Sequence, residues 1–190
     1  MNARLDVVTR TAVLNGKPFG STGAYEKISG TLRFAVDPAH ALNQRITDIT
    51  LAPRNAQGLV EFAGDFYLLK PVDMARGNGT LLLDVPNRGR KVAIEMFNST
   101  PRVPDPTTEK DFGNGFLMRQ GYTVAWIGWQ IDVPRRDGLM ALDAPRVPGA
   151  EGFVRCRLRP NEPSESLPLA DRYHIPNAAL DLNDPQAWMT

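Results

Sequence analysis

Cysteine and histidine are almost absent from this chain: Cys156, His40 and His174 are the full complement among 190 residues. A lone cysteine forms no internal disulfide, and no Cys/His spacing here fits a zinc site. Cys156, in Val154-Arg155-Cys156-Arg157-Leu158, has no neighbouring base and reads as a half-buried strand residue. Neither histidine stands at metal-ligand spacing or beside a serine in a nucleophile context. His40 reads as part of a turn, Asp37-Pro38-Ala39-His40, and His174 as part of a loop, Tyr173-His174-Ile175-Pro176. No metal and no cofactor is expected.

An excess of charge of one sign is lacking too. Lys plus Arg number 22 against 21 acidic residues, so nothing points to nucleic acid or an anionic membrane surface. No stretch approaches the roughly 20 consecutive apolar residues of a membrane span, and the start, Met1-Asn2-Ala3-Arg4-Leu5-Asp6, does not resemble a signal peptide. A cytoplasmic location is expected. Three motifs are also missing: the nucleophile elbow G-x-S-x-G, the phosphate loop G-x-x-x-x-G-K-[ST], and the dinucleotide fingerprint G-x-G-x-x-G. Gly20-Ser21-Thr22-Gly23 looks superficially like a nucleophile turn, but no strand precedes it and no helix follows.

What the chain does have is strand signal and punctuation. Leu5 to Val13, Tyr25 to Val36, Ile46 to Leu51 and Leu59 to Lys70 carry β-branched and aromatic residues in partial alternation. Turns are expected at Asn15-Gly16-Lys17-Pro18 and Gly20-Ser21-Thr22-Gly23, with antiparallel pairing through hairpins and a bulge or bend at Gly64. After Val133, Leu139 to Asp143 and Phe153 to Leu158 are strand candidates, and prolines break up the remainder. The final residues, 184–190, show no helix cap or closing strand.

The middle of the chain reads differently. Thr80 to Val85 is a short apolar run that fits a strand buried on both faces, stopped by Pro86-Asn87-Arg88-Gly89. Lys91 to Phe97 and Asp111 to Gln120 are helical candidates around a proline-bearing loop from Ser99 to Thr108, and Tyr122 to Gly128 is a second buried strand. Two such strands joined through helices make a parallel crossover, which places ligands beyond the strand C-terminal ends. Asn87, Arg88 and Gly89 lie at that rim with Trp129 and Gln130. Backbone N–H groups in such a turn can hold an oxyanion or a carboxylate, with Gly89 free to take φ > 0 and Arg88 supplying charge. Trp129 and Gln130 are the candidate pocket residues, and Trp126 is a core or pocket aromatic.

Several segments taken together resemble a group of bacterial α/β-hydrolase domain proteins. They are Pro53-Arg54-Asn55-Ala56, Gly58 to Phe62, Asp65 to Asp73, Gly77-Asn78-Gly79, Asp84 to Gly89, Gly115 to Tyr122 and Gly128 to Pro134. The resemblance covers most of the chain up to about Pro148. It implies an esterase whose nucleophile, acid and histidine lie in a later half, so that this chain reads as the N-terminal part. The expected fold class is then α/β: a β-rich N-terminal region (1–72), the first strand–helix–strand crossover of an incomplete α/β-hydrolase sheet (73–133), and a truncated, proline-rich β-insertion (134–190). By the same resemblance, Asn87-Arg88-Gly89 matches the loop that supplies one oxyanion-hole N–H. No catalytic residue is carried over, and the implied partner is a small-molecule ester acted on by the joined halves. Unpaired strand edges and uncovered apolar faces of a partial sheet also predict self-association. The alternative function is a non-catalytic β-rich domain that binds a ligand or a protein partner.

Overall fold

A computed structural model describes residues 2–136, 138–170, 174–179, 181 and 183. The described backbone forms two compact units, one up to Pro148 and one from Gly149 onward.

The first unit is built on one sheet. Strand β1 (Asn2–Ala12) pairs antiparallel with β2 (Tyr25–Val36), and β2 with β3 (Val60–Pro71). The alternation of β-branched and aromatic residues predicts these three strands, and they form the large antiparallel part of the sheet. Gly64 introduces no register shift between β2 and β3. Instead β3 changes partner there: Phe66 to Leu69 pair antiparallel with β5 (Thr123–Ile127), and Ala63 and Gly64 with the two-residue β6 (Leu142–Asp143). Strand β4 (Leu81–Asp84) pairs parallel with β5, so the order is β1-β2-β3-β5-β4 with β6 beside β3.

The fold class expected from the sequence is overturned. The described chain is a β-rich six-stranded mixed sheet in which four pairings are antiparallel and one is parallel. Only two short α-helices lie between β4 and β5, α1 (Ala93–Asn98) and α2 (Phe116–Arg119). The strand–helix pattern of an α/β-hydrolase is not there. Local chemistry explains why no long crossover helix forms. Ser99 leaves α1 in the left-handed region, Pro101, Pro104 and Pro106 keep the following loop extended, and Gly113 and Gly115 both take positive φ. The stretch from Asp111 to Gln120 therefore splits into a 3-10 turn (Glu109–Phe112) and α2.

Burial corrects a second expectation. Alternate residues of β2, β3 and β5 face α1 and α2, and Tyr25, Tyr67, Leu69, Val124 and Trp126 form a core there with Ile94, Phe112, Leu117 and Met118. Asn98, fully buried, pins the two helices: its Nδ2 donates to the Phe112 carbonyl at 3.0 Å, and its Oδ1 accepts from the Leu117 N–H at 3.0 Å. Strand β4 is not buried on both faces, because it is an edge strand: Leu81 and Leu83 are 58% and 50% exposed. An apolar run reads the same way in an edge strand and in a central one.

Three further strand expectations fail in whole or in part. Ile46 to Leu51 forms turns, with 3-10 segments at Asn43–Arg45 and Ile49–Leu51 and Asp48 in the left-handed region; Ile49 packs on Val36 and Val60. Leu139 to Asp143 yields only the short β6. In the second unit, Phe153 to Leu158 is irregular, and the described residues hold a single isolated bridge, Leu169 with Asn177. The expectation for 184–190 lies outside the described residues, as does Tyr173 next to His174.

Candidate functional site

The turn after β4 reverses the chain tightly. Arg90 N–H donates to the Asn87 carbonyl at 3.2 Å, and both central residues are left-handed, Arg88 at φ 56° and Gly89 at φ 76°. Positive φ at both central positions is the signature of a type I′ turn, and Gly89 takes it without Cβ strain. Gly89 is also packed. A Cβ on it would lie 2.7 Å from the Met140 carbonyl oxygen and 2.8 Å from Val133 Cγ1, while the Gly89 carbonyl accepts from the Met140 N–H at 2.9 Å.

The structure brings all five candidate residues to one rim. Strands β4 and β5 are parallel, so the residues beyond Asp84 and Ile127 leave the sheet at the same end. Trp129 Nε1 donates to the Pro86 carbonyl at 2.7 Å, and Gln130 Oε1 accepts from the Arg88 N–H at 2.6 Å. The indole of Trp129 remains half exposed. These bonds decide what the turn can do chemically. The Arg88 N–H is already held by a neutral side-chain amide, so an incoming anion has to displace Gln130 to reach it. Gly89 is buried against Val133 and Met140.

Asp84 supports the turn from below. Its Oδ2 accepts from the Val92 and Ala93 N–H groups at 2.9 and 2.8 Å and from Trp126 Nε1 at 2.6 Å. One carboxylate oxygen thereby ties the end of β4 to the start of α1 and to the buried indole of β5. Trp126 is core, 1% exposed.

A second cluster lies beside the turn, built of residues that sequence spacing does not connect. Tyr67, on β3, donates its buried hydroxyl to Asp105 Oδ1 at 2.7 Å, and Lys27 of β2 pairs with the same carboxylate at 2.9 Å. Lys91 Nζ lies 4.7 Å from the Tyr67 ring centroid and donates to the Gly138 carbonyl at 3.1 Å. Burial holds the Lys91 amine well below its ordinary value, at about 8, against the opposing pull of Asp105 and Asp65. Burial, reinforced by the hydrogen bond to Asp105, pushes the Tyr67 phenol up. One signal in the sequence marks this group: Lys91 follows a turn that ends a strand, where the chain must pass close over the sheet.

The remaining candidates stay apart. Ser21 sits in a 3-10 turn (Gly20–Thr22), with no strand–turn–helix setting. His40 accepts the Leu42 N–H on Nδ1 at 3.2 Å within its own turn, and His174 is buried in the second unit. Cys156 is half buried and in no strand. Among the described residues no three His, Cys, Asp or Glu side chains gather in a way that could hold a metal ion, and no helix is long and apolar enough to cross a membrane.

The class that the geometry defines is therefore a β-rich, mixed-sheet domain with a tight left-handed turn at the rim of the parallel pair β4 and β5. Comparisons with protein-family models, curated proteins and solved structures each return no match.

Proposed function

We propose that this chain forms the loop side of a cytoplasmic carboxylic-ester hydrolase site. The sheet is the scaffold, Asn87-Arg88-Gly89 is part of the oxyanion loop, and the nucleophile, acid and histidine come from outside this sequence. The reaction is serine acyl transfer, in which backbone N–H groups stabilise the tetrahedral oxyanion. One observation carries the reading: two successive left-handed residues close a turn at the C-terminal end of a parallel strand, with Trp129 and Gln130 bonded to that turn. In the resting site Gln130 occupies the Arg88 N–H, and the developing oxyanion, a stronger acceptor than an amide oxygen, displaces it.

Titration of the ¹⁵N-labelled chain with butyrate, a product carboxylate, tests this. The Arg88 and Gly89 amides and the Gln130 side-chain amide should shift together, and Gln130→Ala should tighten binding by removing the competing acceptor. Butyrate that leaves these amides unmoved overturns the reading. So does turnover of p-nitrophenyl butyrate by the isolated chain, because it would place a nucleophile within these residues.

A second reading, a non-catalytic β-rich binding domain, is favoured by an open groove of about 670 Å³ lined by β1, β2, β3 and β6. Its lining includes Arg4, Arg33, Phe62, Glu61 and Asp143. Butyrate-independent ligand binding that Arg33→Ala abolishes would select this reading over the first.

A further inference from the structure

Among the described residues the sheet order leaves β1 and β4 as its end strands. Strand β4 offers four residues at its edge, whereas β1 offers eleven. An end strand is a template for another strand, because its outward N–H and C=O groups have only water to bond. Pairing of β1 with β2 is regular from Asn2 to Val7. The register then shifts by one residue, which leaves Val8 without a partner on β2 and 74% exposed. A bulge of this kind turns a strand away from a new neighbour, so the segment up to Val7 is the part fit to pair.

That segment, Ala3-Arg4-Leu5-Asp6-Val7, is complementary to itself. When two copies run antiparallel about Leu5, Leu5 meets Leu5, Arg4 meets Asp6, and Ala3 meets Val7. Alternation puts Arg4 and Asp6 on one face of the sheet, with Arg33 of β2, and Ala3, Leu5 and Val7 on the other. Every charge therefore meets its opposite, and every apolar side chain meets another. Centring the pair on Arg4 or on Asp6 instead would set like charge against like charge.

We infer that β1 joins two copies of this chain, through an antiparallel pair centred on Leu5 and a twofold axis normal to the sheet. Each Asp6 carboxylate, already 2.6 Å from Arg33 of its own chain, receives the largely exposed Arg4 of the second copy. Leu5 and Val7, 38% and 48% exposed in the single chain, lose water against their counterparts. The paired segment is short, so the dissociation constant is on the order of 10–100 µM. The turn at Asn87-Arg88-Gly89 follows the opposite end strand, and the pairing does not depend on the ester-hydrolase reading.

Sedimentation equilibrium of the full chain, from about 1 to 500 µM, should show the mass rising from 21.0 kDa towards twice that value. Leu5→Lys sets two ammonium groups against each other at the twofold axis and should weaken association by roughly tenfold, with an unchanged circular dichroism spectrum. Single cysteines in the Cys156→Ser chain read the register. Directly opposed residues of an antiparallel pair lie within disulfide reach, so Leu5→Cys should link copies on mild oxidation faster than Val8→Cys. Chance collision would favour the more exposed position 8. A chain that stays monomeric over the whole range overturns the inference. So do equal association with Leu5→Lys and faster linking through position 8 than through position 5. The wild-type masses and the linking rates stand whether or not Leu5→Lys folds.

Discussion

Two glycines with the same backbone angle separate conformational strain from packing. Gly58 and Gly89 both have φ 76°, but a Cβ at Gly58 meets nothing within 4 Å, whereas at Gly89 it meets Met140 backbone atoms and Val133 at 2.7–2.9 Å. Alanine in the left-handed region costs about 1–2 kcal/mol wherever it stands. Gly58→Ala should therefore lose about that much. Gly89→Ala carries the same cost plus overpacking of about 1–3 kcal/mol, because the neighbour it strikes is partly backbone and cannot rotate away. It also threatens the 2.9 Å bond from the Met140 N–H to the Gly89 carbonyl. The combined loss is on the order of 2–5 kcal/mol. Urea unfolding followed by tryptophan fluorescence measures both variants, with the midpoint shift read at unchanged slope. Equal midpoint shifts for the two variants would refute the reasoning, since they would mean that the 133–140 segment does not press on the turn.

Two further predictions concern the charges that hold the sheet. Asp84→Asn keeps the shape but replaces a charged acceptor shared by three N–H donors. It should cost about 1–3 kcal/mol and alter Trp126 fluorescence; urea unfolding and the emission spectrum check it, and an unchanged midpoint would count against Asp84 as the tie between β4 and α1. Burial of Glu26 works against its ionisation, but the hydrogen bond and charge of Lys70, with Arg10, outweigh this and hold its carboxyl below the ordinary 4.5. Its contribution to stability is therefore complete above pH 4.5 and is lost as the pH falls through the lower folded-state value. Glu26→Gln should shallow the acid limb of a stability–pH curve, and an acid limb as steep as that of the wild type would exclude Glu26 as its source.

Legibility in the sequence followed how local each determinant is. The three long strands were readable because β-branched and aromatic residues recur along them, and the turn at Asn87-Arg88-Gly89 because its residues set their own backbone geometry. The run Leu81-Leu82-Leu83 misled, since hydrophobicity does not record whether a neighbouring strand is present. Ile46 to Leu51 misled for a related reason: its alternation serves a turn that lowers Ile49 onto Val36 and Val60. Prolines and glycines between Ser99 and Gly115 announced breaks in the helices, but the resemblance to α/β-hydrolases outweighed them in the expected fold class.

By itself the sequence determined the three long strands and the turn that stops the run before Pro86, with Gly89 free to take φ > 0, because steric limits on φ act within a few residues. Only the tertiary structure decided that β4 is an edge strand and that Gln130 takes the Arg88 N–H. The same holds for the meeting of Tyr67, Asp105, Lys27 and Lys91 beside one small cavity. Those outcomes depend on strand order and on a loop folding back over the sheet, contacts between residues far apart in the chain whose identities carry no periodic signal. The lowered pKa of Lys91 belongs with them, since it comes from lost solvent, and burial is a property of the packed fold.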